Sequence, residues 1–249
     1  MNIMIFDTET TSLDKPFCYN IGYMIIDTEG NFICSRDFVV EQVWHNPMLF
    51  TTAYYSDKRE LYVKSMRSRK TIMNKFGYIC QQMIRDIKNY EVTSAYAYNS
   101  PFDIKVFDFN CDWFKCNNPF DTIPVYDIRG YAHHYICDDN FKKWCEDNKA
   151  FSDSGNYSTT AENIYRYISG YTDFVEEHTA LADSEIETEI LLFALDMGAE
   201  IETDYKPFRT IARPQKKQFT VKKNNEIVFT DECDTIRYMK TNNTIILKG

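Results

Sequence analysis

Three apolar segments at the start of the chain place the strongest constraint on its fold. Residues 3–6, 21–26 and 32–40 are rich in β-branched and aromatic side chains, and residues 27–31, Asp-Thr-Glu-Gly-Asn, have the composition of a tight turn. Short apolar segments bounded by turn residues are typical of neighbouring antiparallel strands. We therefore predict that the chain opens with three strands joined by hairpins.

Later segments alternate between helical and strand patterns. Apolar residues recur at helical spacing over residues 71–88, 159–169 and 181–197, whereas residues 92–98 and 123–125 have the pattern of short strands. Three hairpin strands followed by alternating helices and strands describe a mixed α/β sheet covered by helices. A chain of 249 residues, 44% of them hydrophobic, is long enough to bury such a core.

The composition excludes several classes of protein. Aromatic residues make up 16% of the chain, and there are only 8 Gly and 7 Pro, which excludes disordered and collagen-like chains. No stretch approaches the roughly 18 consecutive apolar residues of a membrane span, and Asp7 interrupts the first apolar segment too early for a signal peptide. We expect a cytoplasmic protein with no membrane partner, and the sequence leaves its oligomeric state open.

Residues 206–249 differ in charge from the rest of the chain. They contain ten Lys or Arg and four Asp or Glu, although the whole chain carries a net charge of −9. Their pattern predicts strands at residues 219–223, 227–230 and 244–247. A turn is predicted at residues 224–225, and a short helix is predicted after Asp231. We therefore predict a small basic ββαβ module at residues 204–249, appended to a large domain at residues 1–203.

Eight cysteines allow two interpretations. Without a secretion signal, they are expected to be reduced thiols that behave as small buried hydrophobic residues. The alternative is a zinc site, although the spacing of its candidate ligands lacks the paired CxxC pattern of zinc fingers. Those candidate ligands are Cys111, Cys116, His133, His134, Cys137 and Cys145.

Carboxylates stand at the ends of three predicted elements. Asp7 and Glu9 are two residues apart at the end of the first strand, so they point to the same face, about 6–7 Å apart. Asp103 follows the strand at residues 92–98 and lies near a helix start, and Asp183 opens the last long helix. His178, five residues earlier, could not share a helical face with Asp183, so we place it in the preceding loop.

Singly, these residues have ordinary explanations, because acids at strand ends face water and acids at helix starts act as caps. Together they have the composition of a two-metal phosphodiesterase. Hard oxygen ligands suit Mg²⁺ or Mn²⁺, and two such ions about 3.5–4 Å apart stabilise the attacking and leaving oxygens of an in-line displacement. A histidine with an unperturbed pKa of about 6.5 can take the proton of the attacking water.

Three ordered motifs carry a resemblance to a known family. They are residues 6–13, Phe-Asp-Thr-Glu-Thr-Thr-Ser-Leu, residues 99–103, Asn-Ser-Pro-Phe-Asp, and His178-x-Ala180-x-x-Asp183. Over residues 1–198 the chain resembles the DEDDh exonucleases, the DnaQ-like group of the ribonuclease H-like superfamily. The resemblance implies a five-stranded mixed sheet with the site at its centre. It also implies stepwise release of nucleoside 5′-monophosphates from a 3′ end.

The resemblance also implies roles for individual residues. The implied ligands of two Mg²⁺ or Mn²⁺ ions are Asp7, Glu9, Asp103 and Asp183, and the implied general base is His178. The residues implied to contact the terminal nucleotide or line its pocket are Thr10, Leu13, Asn99 and Phe102. The chain departs from the common pattern at Ser12, where the family usually has Gly, and at Ser184, where Ala is usual.

Two insertions, near residues 43–70 and 129–158, are candidates for rims that limit access to single strands. In the first, basic residues alternate with tyrosines, as in grooves for single-stranded nucleic acid: Tyr54, Tyr55, Lys58, Arg59, Tyr62, Lys64, Arg67, Arg69 and Lys70. A solvated helix face with Tyr in the core explains the same pattern. Lysines of the tail fit either a binding strip or a solvated sheet edge: Lys216, Lys217, Lys222 and Lys223.

Three functions remain compatible with the sequence. The favoured one is a metal-dependent 3′→5′ exonuclease on single-stranded DNA, with a replication or repair protein as a candidate partner. The second is the same reaction on short RNA. The third is a catalytically silent nucleic-acid-binding scaffold, which is disfavoured because none of the five chemically active residues is missing.

Overall fold

The computed structural model of the chain describes residues 1–50, 53, 56–214, 217–223, 226–233, 237–241 and 244–248, and after residue 214 it describes the backbone only. The chain divides into two compact units. The first comprises residues 1–150 and 158–209, and the second comprises residues 151–157 and 210–249. The predicted boundary between residues 203 and 204 stays a prediction.

The first unit is built on six strands, nine α-helices and two short 3-10 helices among the described residues. The strands are β1 (Asn2–Thr10), β2 (Cys18–Asp27), β3 (Phe32–Val40), β4 (Ile72–Asn74), β5 (Val92–Ala97) and β6 (Val125–Asp127). The helices are α1 (Glu41–Trp44), α2 (Pro47–Phe50), α3 (Arg59–Arg67), α4 (Phe76–Asn89), α5 (Ser100–Phe114), α6 (Ile128–Tyr135), α7 (Asp139–Asn148), α8 (Ala161–Ser169) and α9 (Ala180–Asp196). None of the helices in the described segments combines the length and apolar character needed to cross a membrane.

The six strands form one mixed sheet in the order β4-β3-β2-β1-β5-β6. The pairs β1–β2 and β2–β3 are antiparallel, whereas β1–β5, β5–β6 and β3–β4 are parallel. The central strand β1 is covered on both faces, because Met4 and Phe6 pack in the main core cluster while Ile3 and Ile5, on the opposite face, are also fully buried. Its apolar sequence is therefore explained by its central position.

The predicted fold class is confirmed, with some changes in detail. The opening hairpin strands are present, and β3 has the predicted bounds. The sheet has six strands rather than five, because Ile72–Asn74 pairs with the end of β3. The helix predicted from residue 71 consequently begins at Phe76, after Lys75 in extended conformation. The strand predicted at residues 123–125 begins only at Val125, after Pro124, which has no N–H to donate.

The described residues of the second unit include four strands in two antiparallel pairs. β7 (Lys217–Lys223) pairs with β8 (Glu226–Cys233), and β9 (Arg237–Thr241) pairs with β10 (Thr244–Lys248). The predicted helix after Asp231 is absent from the described residues, because β8 continues through Asp231 to Cys233 and residues 237–241 form a hairpin strand against the apolar β10. The predicted turn at residues 224–225 lies outside the described residues. Within the same unit, the Arg213 guanidinium lies 4.1 Å from the centre of the Phe151 ring.

Candidate active site

The site begins in the middle of the sheet, where β1 and β2 pair. Asp7 on β1 lies opposite Gly22 on β2. A Cβ atom on Gly22 would lie 2.1 Å from the backbone nitrogen of Leu181, in the first turn of α9. Only glycine therefore lets the start of α9 lie directly on β2, next to the strand that carries Asp7.

Buried hydrogen bonds fix the start of α9 in that position. The Ala180 N–H donates to Asn20 Oδ1 at 2.8 Å, and Asn20 Nδ2 donates to Asp37 Oδ1 at 2.6 Å. The Ser184 hydroxyl contacts the Gly22 carbonyl oxygen at 3.2 Å and the Ala180 carbonyl oxygen at 2.7 Å. The Ser184 hydroxyl therefore attaches the helix to the sheet.

Three acids meet at this point. One carboxylate oxygen from each of Asp7, Glu9 and Asp183 lies within 4.8 Å of the other two. The first two residues share a face of β1, as predicted, and Asp183 lies in the first turn of α9. Asp183 Oδ1 is buried and has no hydrogen-bond partner in the described part of the chain. A buried carboxylate oxygen without a donor is costly unless a cation or proton compensates it.

Asp103 approaches the site from α5. Asn99 has a left-handed backbone conformation, with φ of 63°, at the point where the chain turns from β5 into α5. Asp103 lies in the first turn of that helix, is 2% exposed, and accepts a 2.6 Å hydrogen bond from Thr8 Oγ1. It is not one of the three acids within 4.8 Å of one another, but its charge raises the pKa of both Asp7 and Glu9.

The acids of the site hold their protons more tightly than ordinary carboxyl groups. Burial is the largest cause, and it raises the pKa of Glu9 to about 8, of Asp103 to about 7 and of Asp183 to about 9. The pKa of Asp7 is also raised, first by burial and then by the charges of Asp103 and Glu187. Carboxylates this close ionise together only when cations compensate their repulsion.

This donor set fits hard divalent cations. Carboxylate oxygens are the ligands that Mg²⁺ and Mn²⁺ prefer. The convergence of three acids and the unpartnered oxygen of Asp183 favour a cation at the site. The residues that would hold it are the four predicted ones, Asp7, Glu9, Asp103 and Asp183.

His178 lies in the loop before α9, as predicted, with a left-handed backbone φ of 52°. Its Nδ1 atom is 3.4 Å from Glu176 Oε2, and its nitrogen, with oxygens of Glu176 and Glu162, forms a second group of atoms within 4.8 Å. Burial, followed by the Lys58 charge, lowers the pKa of His178, while Glu162 raises it. The imidazole is therefore neutral near pH 7 and able to accept a proton.

Two residues of α8, Arg166 and Glu162, form polar contacts next to Glu176, the neighbour of His178. Arg166 Nη2 forms a 2.8 Å ion pair with Glu162 Oε1, and Glu162 Oε2 accepts a 2.9 Å hydrogen bond from the Glu176 backbone. Burial and then the Glu162 charge raise the pKa of Glu176 to about 7, although the Lys58 charge acts to lower it. The Lys58 ammonium group donates to the Glu177 carbonyl oxygen, which connects the first insertion to the loop that carries His178.

A further buried acid was missed in the sequence. Glu187 lies one turn after Asp183 on α9 and is 3% exposed. Its Oε2 accepts a 3.1 Å hydrogen bond from the Tyr98 N–H, directly before Asn99. The spacing of four residues was the signal in the sequence that could have identified Glu187, because it puts Glu187 on the same face of α9 as Asp183.

The residues predicted to contact the nucleotide lie on two segments. Leu13, in the loop after β1, is 75% exposed, and Thr10 Oγ1 contacts the Ser12 carbonyl oxygen at 3.4 Å. Phe102 packs against the core cluster, and the Asn99 N–H donates to Asp127 Oδ1 at 2.8 Å. The exposed Leu13 is available to a ligand, and the roles of all four residues stay predictions.

In the first insertion, near residues 43–70, Tyr62 is not available for stacking against a nucleic-acid base. Tyr62 is 1% exposed and donates a 3.0 Å hydrogen bond to Asn20 Oδ1, so it belongs to the core. The Arg59 guanidinium lies 4.4 Å from the centre of the Trp44 ring. Tyr54, Tyr55 and Lys216 lie outside the described residues. For Lys217, Lys222 and Lys223, the side chains lie outside the described part of the chain.

The six candidate zinc ligands are not brought to one place. Within the described residues, Cys111 and Cys116 are grouped with Cys80, and no group contains His133, His134, Cys137 or Cys145. His133 is hydrogen-bonded instead to Thr159 Oγ1, at 2.9 Å, and His134 to the Lys206 carbonyl oxygen, at 3.0 Å. The alternative of a zinc site built from these six residues is therefore not supported, because its histidines have other partners.

No family model matches the chain, and no curated protein matches it in sequence. Solved structures similar to the chain include several that are named as exonucleases. Exonuclease I of E. coli in complex with a dA16 oligonucleotide has 15% identity and a TM-score of 0.47, over 78% of this chain and 41% of that chain.

Two further structures give similar values. Exonuclease I from Methylocaldum szegediense, described as moderately thermophilic, has 15% identity and a TM-score of 0.47, over 78% of this chain and 40% of that chain. A complex named ExoI/SSB-Ct has 13% identity and a TM-score of 0.49, over 78% of this chain and 41% of that chain. The chain thus spans about two fifths of the length of the solved exonucleases to which it is similar.

Proposed function

We propose that this chain is a metal-dependent 3′→5′ exonuclease that hydrolyses single-stranded DNA to nucleoside 5′-monophosphates. The observation that carries the proposal is the convergence of Asp7, Glu9 and Asp183 within 4.8 Å, with Asp103 beside them and Asp183 Oδ1 unpartnered. Divalent cations, when bound, neutralise these acids and stabilise charge on the attacking and leaving oxygens of a phosphodiester.

The chain's own residues supply positioning and proton transfer. Thr8 holds the Asp103 carboxylate through its 2.6 Å hydrogen bond, and the contact between α9 and Gly22 holds Asp183 beside Asp7. His178 takes the proton of the attacking water, because its lowered pKa keeps it neutral near pH 7. Glu176, 3.4 Å from His178 Nδ1, orients the imidazole and stabilises it once it is protonated.

For the substrate we propose a single-stranded 3′ end of DNA, and for the partner a replication or repair protein. The similar exonuclease structures include one with a dA16 oligonucleotide and one named as an SSB-Ct complex. Short RNA shares the phosphodiester on which these acids would act, so it is the second candidate substrate. The cytoplasmic location and the catalytic domain at residues 1–203 stay predictions.

The test is digestion of matched single-stranded DNA and RNA oligonucleotides, labelled at either the 5′ or the 3′ end, with Mg²⁺, with Mn²⁺ and with EDTA. We expect the 3′ label to appear at once in a mononucleotide and the 5′ label to appear in a ladder of shortening products. Both should be lost in EDTA and in the Asp7→Asn variant, and kept in Asp112→Asn, which changes an exposed acid on α5.

Several outcomes would contradict the proposal. Internal fragments would indicate an endonuclease, and release from the 5′ end would reverse the polarity. Binding of oligonucleotide without metal-dependent cleavage would favour the silent scaffold. Faster digestion of RNA than of DNA would replace the substrate while leaving the reaction in place.

A further inference from the structure

Three cysteines from different parts of the chain meet away from the acids of the proposed active site. Cys80 lies on α4, Cys111 lies in the last turn of α5, and Cys116 follows that helix. Their sulfur atoms all lie within 4.8 Å of one another. Cys80 and Cys111 are 1% and 7% exposed, and Cys116 is half-buried.

The local backbone explains why the three thiols meet. Lys115 caps α5 in a left-handed conformation, with φ of 54°, and this reverses the chain so that the Cys116 N–H donates to the Cys111 carbonyl oxygen at 3.1 Å. Gly77 lies three residues before Cys80, on the same face of α4. A Cβ on Gly77 would lie 3.4 Å from Cys116 Cβ, so α4 passes close to the reversed chain.

The surroundings of the cluster favour a cation. Cys111 is at the C-terminal end of α5, where the helix dipole is negative. Cys111 and Cys116 open onto a pocket that is also lined by three acids: Asp108, Asp112 and Asp121. The pocket's lysine, Lys115, already forms a 2.8 Å ion pair with Asp112. A hydrogen bond with Cys80 lowers the pKa of the Cys111 thiol, although the charges of Asp108 and Asp121 act to raise it. A metal ion shared by the three thiolates would neutralise their charge beside these acids.

We propose that Cys80, Cys111 and Cys116 bind one Zn²⁺ ion as thiolates, with the fourth position open to the acidic pocket. Thiolate ligands are soft and select zinc over the Mg²⁺ and Mn²⁺ that carboxylates prefer. Zn–S bonds of about 2.3 Å place sulfurs of a tetrahedral site about 3.8 Å apart, within the observed limit of 4.8 Å. Binding forms three Zn–S bonds, and the three thiols release three protons to solvent.

The bound ion would be a structural metal ion that cross-links two helices. It would connect α4 to the C-terminal end of α5, the helix whose first turn carries Asp103. The ion would therefore stabilise the fold around α5 without touching the substrate. This inference is independent of the proposed nuclease reaction, because neither the three cysteines nor the pocket acids belong to that site.

The test uses Co²⁺ as a spectroscopic probe on the reduced full chain, followed by competition with Zn²⁺. Sulfur-to-cobalt charge transfer gives a near-ultraviolet band that carboxylate sites cannot produce. We expect the band to grow to one Co²⁺ per chain and to vanish on addition of one equivalent of Zn²⁺. Zinc should also raise the thermal unfolding midpoint and protect three thiols from a thiol reagent.

The variant Cys116→Ser removes the half-buried ligand with the least effect on packing. It should lose the cobalt band and the zinc-dependent rise in unfolding temperature. Cys34→Ser is the matched control, because Cys34 on β3 is half-buried and outside the cluster, and it should keep both. Because the wild-type chain is also titrated, the inference remains testable if a variant does not fold.

Three results would overturn the inference. The first is the absence of a charge-transfer band in the reduced wild-type chain. The second is an equal band in Cys116→Ser. The third is a disulfide between Cys111 and Cys116 that forms in preference to zinc binding when zinc is present, because it would assign the pair to redox chemistry.

Discussion

Asp7 on β1 lies directly opposite Gly22 on β2, and α9 rests on the space that a side chain at Gly22 would fill. This single relationship brings acids that are far apart in the sequence to one place. Without it, the first turn of α9 could not approach the sheet, and Asp183 could not lie within 4.8 Å of Asp7. The acidic site therefore depends on close packing as much as on the acids.

The variant Gly22→Ala should damage both stability and the site. The new Cβ would lie 2.1 Å from the Leu181 nitrogen, so α9 must move away. We expect a loss of about 1–3 kcal/mol in the free energy of unfolding, measured with denaturant, together with weaker Mn²⁺ binding. Gly77→Ala is the control, because its Cβ meets Cys116 at an ordinary 3.4 Å and alanine favours the helix. Equal effects of the two substitutions would contradict the packing argument.

Replacing His178 should affect the chemical step and spare metal binding. Because His178 is neutral near pH 7 and Nδ1 is 3.4 Å from Glu176, His178→Ala should slow hydrolysis by about 10²–10⁴ at unchanged Mn²⁺ stoichiometry. His45→Ala, an exposed histidine after α1, serves as the control. A decrease of less than about threefold would remove His178 from the role of general base.

The metal-free chain should lose stability as the pH rises. Folding raises the pKa of Asp103 to about 7 and of Asp183 to about 9, from ordinary values of 3.8. Between the ordinary pKa and the raised pKa of each acid, the folded chain retains a proton that the unfolded chain has released. The free energy of unfolding therefore falls with increasing pH over that range. Added Mg²⁺ should reverse the trend, because cations bind the deprotonated acids.

Thermal unfolding in EDTA, from about pH 5 to about pH 9, measures this dependence. The variant Asp183→Asn should flatten it and raise the unfolding midpoint of the metal-free chain at high pH. A midpoint that stays constant or rises over this range in EDTA would show that folding does not raise the pKa of these acids.

Glu187→Gln tests the role of Glu187, the buried acid of α9 that was not among the predicted site residues. The amide oxygen can still accept the Tyr98 N–H, but the negative charge near Asp7 is lost. We expect the Mg²⁺ concentration for half-maximal activity to rise by about tenfold, with little change in the maximal rate. Glu189→Gln, at an exposed position of the same helix, should leave it unchanged. If both variants behave alike, Glu187 has no part in metal binding.

The sequence predicted those parts of the fold and of the site that depend on local pattern. β3 has the predicted bounds, and α9 begins one residue from the prediction. Asp7 and Glu9 share a strand face because they are two residues apart. His178 was placed outside α9 because residues five apart on a helix, such as His178 and Asp183, do not share a face. These features follow from the periodicity of strands and helices and need no knowledge of distant contacts.

The features that were missed depend on contacts between distant segments. β4 is only three residues long and is a strand because it pairs with residues 38–40. Tyr62 is buried because it reaches Asn20, and Cys80 joins Cys111 only because α4 and the end of α5 are adjacent. No local pattern reports such pairings, and for that reason Cys80 was absent from the candidate zinc ligands considered from the sequence.

The most direct test of the account counts Mn²⁺ ions bound per chain by electron paramagnetic resonance, in the wild-type chain and in Asp183→Asn. Manganese prefers oxygen ligands, so the cysteine cluster does not contribute. We predict two ions per wild-type chain and a clear loss of binding in the variant, with the fold preserved by circular dichroism. Wild-type protein that binds no Mn²⁺, or a variant that binds it equally well, would contradict the claim that these acids form a metal site.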